Sequence, residues 1–333
     1  MSDSTSSEDK SEIQALIEFI RANPFPEELD AAKIAIDEVL ATPTTDDIVI
    51  EKLEIDGVPC QMLKPVGADE NRLIIYLHGG GYAMGSLVSH AGLASEIGKA
   101  SNCYVLQVDY RLAPEHAFPA PIEDSCTVYR WLLDKGYDSA NLSLVGDSAG
   151  GGLVIANLVA LRDAGVTLPA AAVCISPWTD LAFTGESIQQ RQELDPIVSL
   201  EMLSEMAELY MAGQDPKNPG ASPLFADMKE LPPLLIQVGE SEILFSDSQR
   251  LAKQAEADGV DVVFEKWPEM IHVWQGATGR IKDTFRGPYK KLWKCKDGKY
   301  RNYLNTAYMK QPWEVQAYKM QGPLTEAFID EIK

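Results

Sequence analysis

Near the start of the chain Ile13, Leu16, Ile17 and Ile20 recur with a helical period and share one face, until Pro24 and Pro26 interrupt the pattern. A second helical pattern runs through residues 31–40. From residue 47 the period changes to two. Ile48-Val49-Ile50 and Val58-Pro59-Cys60-Gln61-Met62 flank Asp56-Gly57, a pair suited to a tight turn, so residues 47–64 predict a β-hairpin.

Beyond residue 72 short apolar runs alternate with amphipathic stretches. Strands are expected at 73–77, 104–108, 142–145, 171–175, 234–238 and 262–264, with helices near 88–99, 122–133, 153–162 and 247–257. This alternation predicts an α/β fold with a mostly parallel, doubly wound sheet, whose functional loops gather at the C-terminal ends of the strands. Between 178 and 231 the rhythm breaks. Ser199 reads as the cap of a helix through Leu203, Met206 and Tyr210 to Gly213, an insertion placed to act as a lid above the strand ends.

Composition narrows the class. A chain of 333 residues with 45% hydrophobic content can bury one sizeable core, and no apolar run is long enough to span a bilayer. The polar, acidic first ten residues lack the basic start and apolar stretch of a secretory signal, so a cytoplasmic location is expected. A net charge of −21 disfavours nucleic acid and anionic membrane as partners of the body. The exception is 276–333, which holds 12 Lys/Arg against 6 Asp/Glu, with Trp293, Tyr300, Tyr303, Tyr308, Trp313 and Tyr318 interleaved. Its signals are a hairpin at 296–299 and a helix at 323–332; it reads as a solvated, partly packed appendage or an oligomer contact, such as that of a homodimer, rather than a nucleic-acid surface. Cys60, Cys103, Cys126, Cys174 and Cys295 form an odd set without metal-ligand spacing and are expected as free thiols, and no metal or cofactor motif is present.

The candidate chemistry sits at two glycine-rich turns. Gly146-Asp147-Ser148-Ala149-Gly150 follows an apolar strand, which is the nucleophile-elbow pattern: the serine occupies a tight strand-to-helix turn with its hydroxyl exposed. Upstream, His78-Gly79-Gly80-Gly81 follows another strand and offers backbone N–H groups. A developing oxyanion would be held by the N–H groups of Ala149, Gly80 and Gly81. A serine hydroxyl needs a base and the base needs an acid. Of the four histidines, His78, His90, His116 and His272, only His272 follows the last expected strand, as the order Ser, acid, His requires. For the acid, Glu240, Glu242 and Asp247 all follow strand 234–238 and spacing alone does not choose. Glu242 lies close to the strand end, whereas Asp247 is placed to cap the next helix.

With these motifs the chain resembles the hormone-sensitive-lipase-like branch of the α/β-hydrolase esterases, of the bacterial esterase and lactone-hydrolase type. The resemblance covers roughly residues 10–275 and extends to Asp109-Tyr110-Arg111-Leu112-Ala113-Pro114-Glu115-His116, Phe118-Pro119 and Ser176-Pro177-Trp178-Thr179-Asp180-Leu181. Many members of that branch carry aspartate at the acid position, where this chain reads Gly239-Glu240-Ser241-Glu242-Ile243-Leu244; the resemblance therefore implies Glu242. It further implies an α/β-hydrolase fold with a helical cap, built from the helices before residue 41 and those of 182–215. The corresponding division is 1–45 as N-terminal cap helices, 46–181 and 231–275 as the core, 182–230 as the cap insertion and 276–333 as a basic extension. The activity implied is that of a cofactor-independent serine carboxylesterase acting on short-to-medium acyl esters or lactones through Ser148, His272 and Glu242.

Overall fold

The computed structural model describes residues 7–41 and 46–278. Two helices, α1 (Ser7–Ala22) and α2 (Leu29–Leu40), precede the antiparallel hairpin of β1 (Ile48–Ile55) and β2 (Val58–Pro65). There follow β3 (Asp69–Leu77), α3 (Ala91–Ser101), β4 (Cys103–Val108), α4 (Ala120–Asp134), β5 (Leu142–Asp147), α5 (Ala149–Asp163) and β6 (Ala171–Ile175). The inserted helices α6 (Ser187–Gln190) and α7 (Leu200–Met211) come next, then β7 (Leu234–Gly239), α8 (Phe245–Ala257) and β8 (Val262–Trp267).

The eight strands form one sheet in the order β1-β2-β4-β3-β5-β6-β7-β8. β2 meets both β1 and β4 antiparallel, and every pairing from β4 through β8 is parallel. Alternation along the strands sorts the core onto two faces. Ile74 and Tyr76 pack with Leu93, Ala94 and Ile97 of α3 on one side, while Leu73, Ile75 and Leu77 pack with α4 and α5 on the other. Each such fully buried aliphatic side chain contributes roughly 1.5–3 kcal/mol, and a one-residue slip would invert the whole pattern, so the register is strongly held.

This core positions the loops at the strand ends. At Gly150 an added Cβ would run into the carbonyls of Leu77 and His78, so only glycine lets the first turn of α5 press against the end of β3. The elbow and the glycine loop are thereby set side by side. In α7 the Ser199 hydroxyl accepts the Met202 N–H as expected. Its C-terminus differs in detail: Ala212, one residue before Gly213, already takes the left-handed conformation at φ 46°, with its N–H returned to the Glu208 carbonyl.

Cys60, Cys103, Cys126 and Cys174 are buried and in no disulfide, whereas Cys295 lies outside the described residues. So do the hairpin and helix expected at 296–299 and 323–332. Among the described residues no helix is long and apolar enough to cross a membrane.

Candidate active site

Ser148 stands at the junction of β5 and α5 with φ 53° and ψ −122°, a conformation that side chains rarely adopt. It persists because its backbone is held on both sides: its N–H donates to the Ile175 carbonyl at 2.8 Å, and its carbonyl accepts from Trp178 at 2.9 Å. The sharp bend lifts the hydroxyl clear of the sheet. His272, in the loop after β8, places Nε2 2.9 Å from Ser148 Oγ, and its Nδ1 lies 2.9 Å from Glu242 Oε2. The other oxygen of Glu242 accepts the Ser176 hydroxyl at 2.8 Å and the Gly239 N–H at 2.5 Å. Ser176 in turn accepts the Val273 N–H at 3.2 Å, so one serine secures both the carboxylate and the histidine loop.

The electrostatics follow from these partners. Burial would lower the pKa of His272, but the hydrogen bond and charge of Glu242, aided by the charges of Asp195 and Asp147, outweigh it and hold the imidazole above its ordinary value. Burial pushes the Glu242 carboxyl up, against the opposing pull of His272. With Nδ1–H facing the carboxylate, Nε2 is left to accept the serine proton.

Facing Ser148, Gly80 and Gly81 take φ of 113° and 63°, values open to glycine. The N–H groups of Gly80, Gly81 and Ala149 donate to no acceptor among the described residues. The glycine loop is braced from behind by Asp147. One oxygen of this buried carboxylate accepts the Tyr76 hydroxyl at 2.5 Å and the Gly79 N–H at 3.1 Å, and the other lies 3.4 Å from His90 Nε2. Burial would raise its pKa, yet the charge and hydrogen bond of His90, with the Tyr76 hydroxyl, hold it below the usual carboxylate value. His78 stacks on Tyr110 at 4.3 Å, and burial beside His90 pushes its pKa down to about 3, so it stays neutral.

A cavity of about 200 Å³ opens in front of Ser148. Leu16, Phe19 and Ile20 of α1 and Met202, Leu203 and Met206 of α7 line it, together with Gly80, Gly81 and His272. Its walls are overwhelmingly apolar, and its polar floor is the serine–histidine pair.

A family model for the α/β hydrolase fold matches residues 74–276. A crystal structure of an esterase from the bacterial hormone-sensitive lipase family is 42% identical, with a TM-score of 0.82 over 93% of this chain and 100% of that one. The chain belongs to the hormone-sensitive-lipase-like branch of the α/β-hydrolase family. An acetyl-hydrolase of Streptomyces hygroscopicus is 45% identical over 253 residues, 74% of this chain and 83% of that protein. A crystal structure of EstE5 soaked with ethyl alcohol is 45% identical with a TM-score of 0.78, covering 80% of this chain and 90% of that one.

Within this α/β hydrolase the three carboxylates after β7 have separate fates. Only Glu242 meets His272; Glu240 lies 3.7 Å from Lys266. Asp247 does not cap α8, because the helix begins at Phe245 and draws Asp247 into its first turn, facing inward. Its carboxylate instead accepts the N–H groups of Thr179 and Asp180, both at 2.9 Å, while Arg250 reaches Asp180 at 2.8 Å and Asp247 at 3.3 Å. Burial and the neighbouring charge of Asp180 push the Asp247 pKa up to about 7. The pattern along the chain points to neither the Asp147–His90 brace nor the Ser176 link. Both are single polar residues paired across long separations, and the only advance signal was their place at a strand end beside a motif.

Proposed function

We propose that this protein is a serine carboxylesterase that works through a covalent acyl-enzyme. The observation that carries this reading is the continuous hydrogen-bonded line Ser148–His272–Glu242 at the mouth of an apolar cavity. Ser148 Oγ attacks the acyl carbon as its proton passes to His272 Nε2, and the buried Glu242 carboxylate stabilises the imidazolium. The carbonyl oxygen, now anionic, is received by the unengaged N–H groups of Gly80, Gly81 and Ala149, each such donor contributing about 3 kcal/mol to the transition state. Collapse expels the alcohol, which takes the proton from His272. Water then adds with His272 again as base, and the acid leaves. Every atom and proton in this scheme is supplied by ester, water and these side chains, and no cofactor enters it.

Relatives named acetyl-hydrolase and esterase support the reaction class. The cavity, at about 200 Å³, lies below the 300–1,000 Å³ of typical small-molecule sites, which favours short-to-medium acyl esters or lactones. In this reading residues 1–45 and 182–230 form the cap, 46–181 and 231–275 the hydrolase core, and 276–333 an extension. We assign the protein to the cytoplasm.

The test is hydrolysis of p-nitrophenyl butyrate by purified protein. The Ser148→Ala variant should lose at least about four orders of magnitude in kcat. Undiminished turnover by that variant contradicts the assignment.

A further inference from the structure

Asp195 lies in the insertion between α6 and α7 and is buried, at 7% exposure. Its charge is met by amides. Oδ1 accepts the N–H groups of Ile197 at 3.0 Å and Val198 at 3.1 Å, and Oδ2 accepts the N–H of Ile243 at 3.0 Å. The first two bonds close a local turn of the kind many aspartates make. The third is different, because it crosses 48 residues to the peptide that follows Glu242. From the same insertion, the Ser187 hydroxyl donates to the Ile243 carbonyl at 2.5 Å, so both polar groups of residue 243 are held from outside its own loop. Within the loop the Glu242 side chain is held by the Gly239 N–H, but the Glu242 backbone N–H reaches the Gly239 carbonyl only at 3.4 Å, so the backbone at 242–243 takes its closer bonds from the insertion.

One carboxylate thus bridges two functional segments. Ile197 and Val198 line the cavity before Ser148, and Ile243 adjoins the carboxylate that meets His272. We propose that Asp195 is a positioning residue of the hydrolytic site, which sets Glu242 beneath His272 and ties that loop to the wall against which substrate rests. The proposal rests on the esterase reading.

Among the described residues no cation pairs with Asp195; a buried carboxylate so placed is costly, and its retention at this junction has a second consequence. The charges facing His272 are Glu242, Asp195 and Asp147, all negative, and all favour the imidazolium formed during acyl transfer. Arg191, on the same segment, is turned onto the Phe245 ring at 3.9 Å and feels the charges of Glu240 and Glu242. Removing the Asp195 charge therefore lowers the proton affinity of His272.

The test uses the Asp195→Asn variant of the full chain, which keeps the shape, removes the charge and turns an amide donor toward a backbone donor. Three quantities are read: kcat and kcat/KM for p-nitrophenyl butyrate against pH, the His272 imidazole pKa by NMR, and the thermal midpoint. We expect kcat to fall at least about tenfold, as for a small misplacement of a reacting group, with the acid limb and the imidazole pKa both moving to lower pH. If the asparagine variant does not fold, Asp195→Ser, whose single O–H can rotate away from the backbone amides, carries the same expectation. A variant with a lowered midpoint but with kcat within about twofold of wild type and an unmoved imidazole pKa overturns the proposal, since a merely structural staple gives that result. Wild-type protein inert toward the ester would sink the esterase reading separately, and the NMR shift would still decide whether Asp195 acts on His272.

Discussion

His272 Nδ1 and Glu242 Oε2 lie 2.9 Å apart, with the carboxylate wholly buried and its second oxygen fully committed to Ser176 and Gly239. Such a pair has one stable arrangement: the histidine proton sits on Nδ1 and the imidazole cannot rotate without leaving a buried charge unpaired.

The pH dependence follows from that pairing. In the proposed reaction His272 must be neutral to accept the serine proton, and its pKa is raised in the fold, so kcat/KM should be lost as pH falls through a value above the ordinary histidine pKa. In Glu242→Gln the largest raising influence is gone, and only the charges of Asp195 and Asp147 remain. The acid limb should move to lower pH, and kcat should drop by about three orders of magnitude or more, measured as a pH–rate profile of the two proteins.

Asp147 supplies the acceptor for the Gly79 N–H and the Tyr76 hydroxyl. Asp147→Ala strands both buried donors, each costing roughly 1–3 kcal/mol. Denaturant melts should show a loss of about 3 kcal/mol. Because the bond to Gly79 braces the loop proposed to receive the oxyanion, kcat should fall more than KM rises.

Arg250 is the cation between Asp180 and Asp247. Arg250→Met leaves two buried carboxylates face to face and should cost about 3–5 kcal/mol. The sign with pH is set by Asp247. Its folded pKa is raised to about 7, so its stabilising contribution is complete at low pH and is lost as pH rises through that value. The deficit of the variant should be larger at pH 8 than at pH 5, and equal deficits would contradict this account.

Met206 stands directly over the glycine loop: a Cβ on Gly81 would lie 2.8 Å from its Cγ. Met206→Ala enlarges the cavity beside Ser148. The ratio of kcat/KM for p-nitrophenyl octanoate over butyrate should rise about tenfold, since one methylene in an apolar pocket is worth roughly 1–3 kcal/mol.

Much of this architecture is legible along the chain because its signals are local. Period-two alternation marks β1 and β2, short apolar runs mark β3 to β8, helical faces mark α1, α2 and α7, and the two glycine turns announce themselves by spacing next to strands. His272 stands out by chain order, and the choice of Glu242 over its neighbours came from family likeness rather than spacing. What stays hidden is long-range polar pairing. The bonds of Asp147 to Gly79, Ser176 to Glu242 and Asp195 to Ile243 each join residues far apart in sequence, and no periodicity records them. Asp247 is misjudged for a related reason: α8 starts after Leu244, which has no capping side chain, so the start signal that would have placed Asp247 within the helix is missing.

The most direct measurement is intact-mass and peptide analysis of the protein after exposure to a serine-directed p-nitrophenyl phosphonate, alongside His272→Ala. The account predicts one adduct per chain, carried by the peptide containing Ser148, with p-nitrophenol released in equal amount and labelling nearly abolished in the histidine variant. Rapid ester turnover by a protein that carries no adduct on Ser148, or one as fully labelled without His272 as with it, would contradict it.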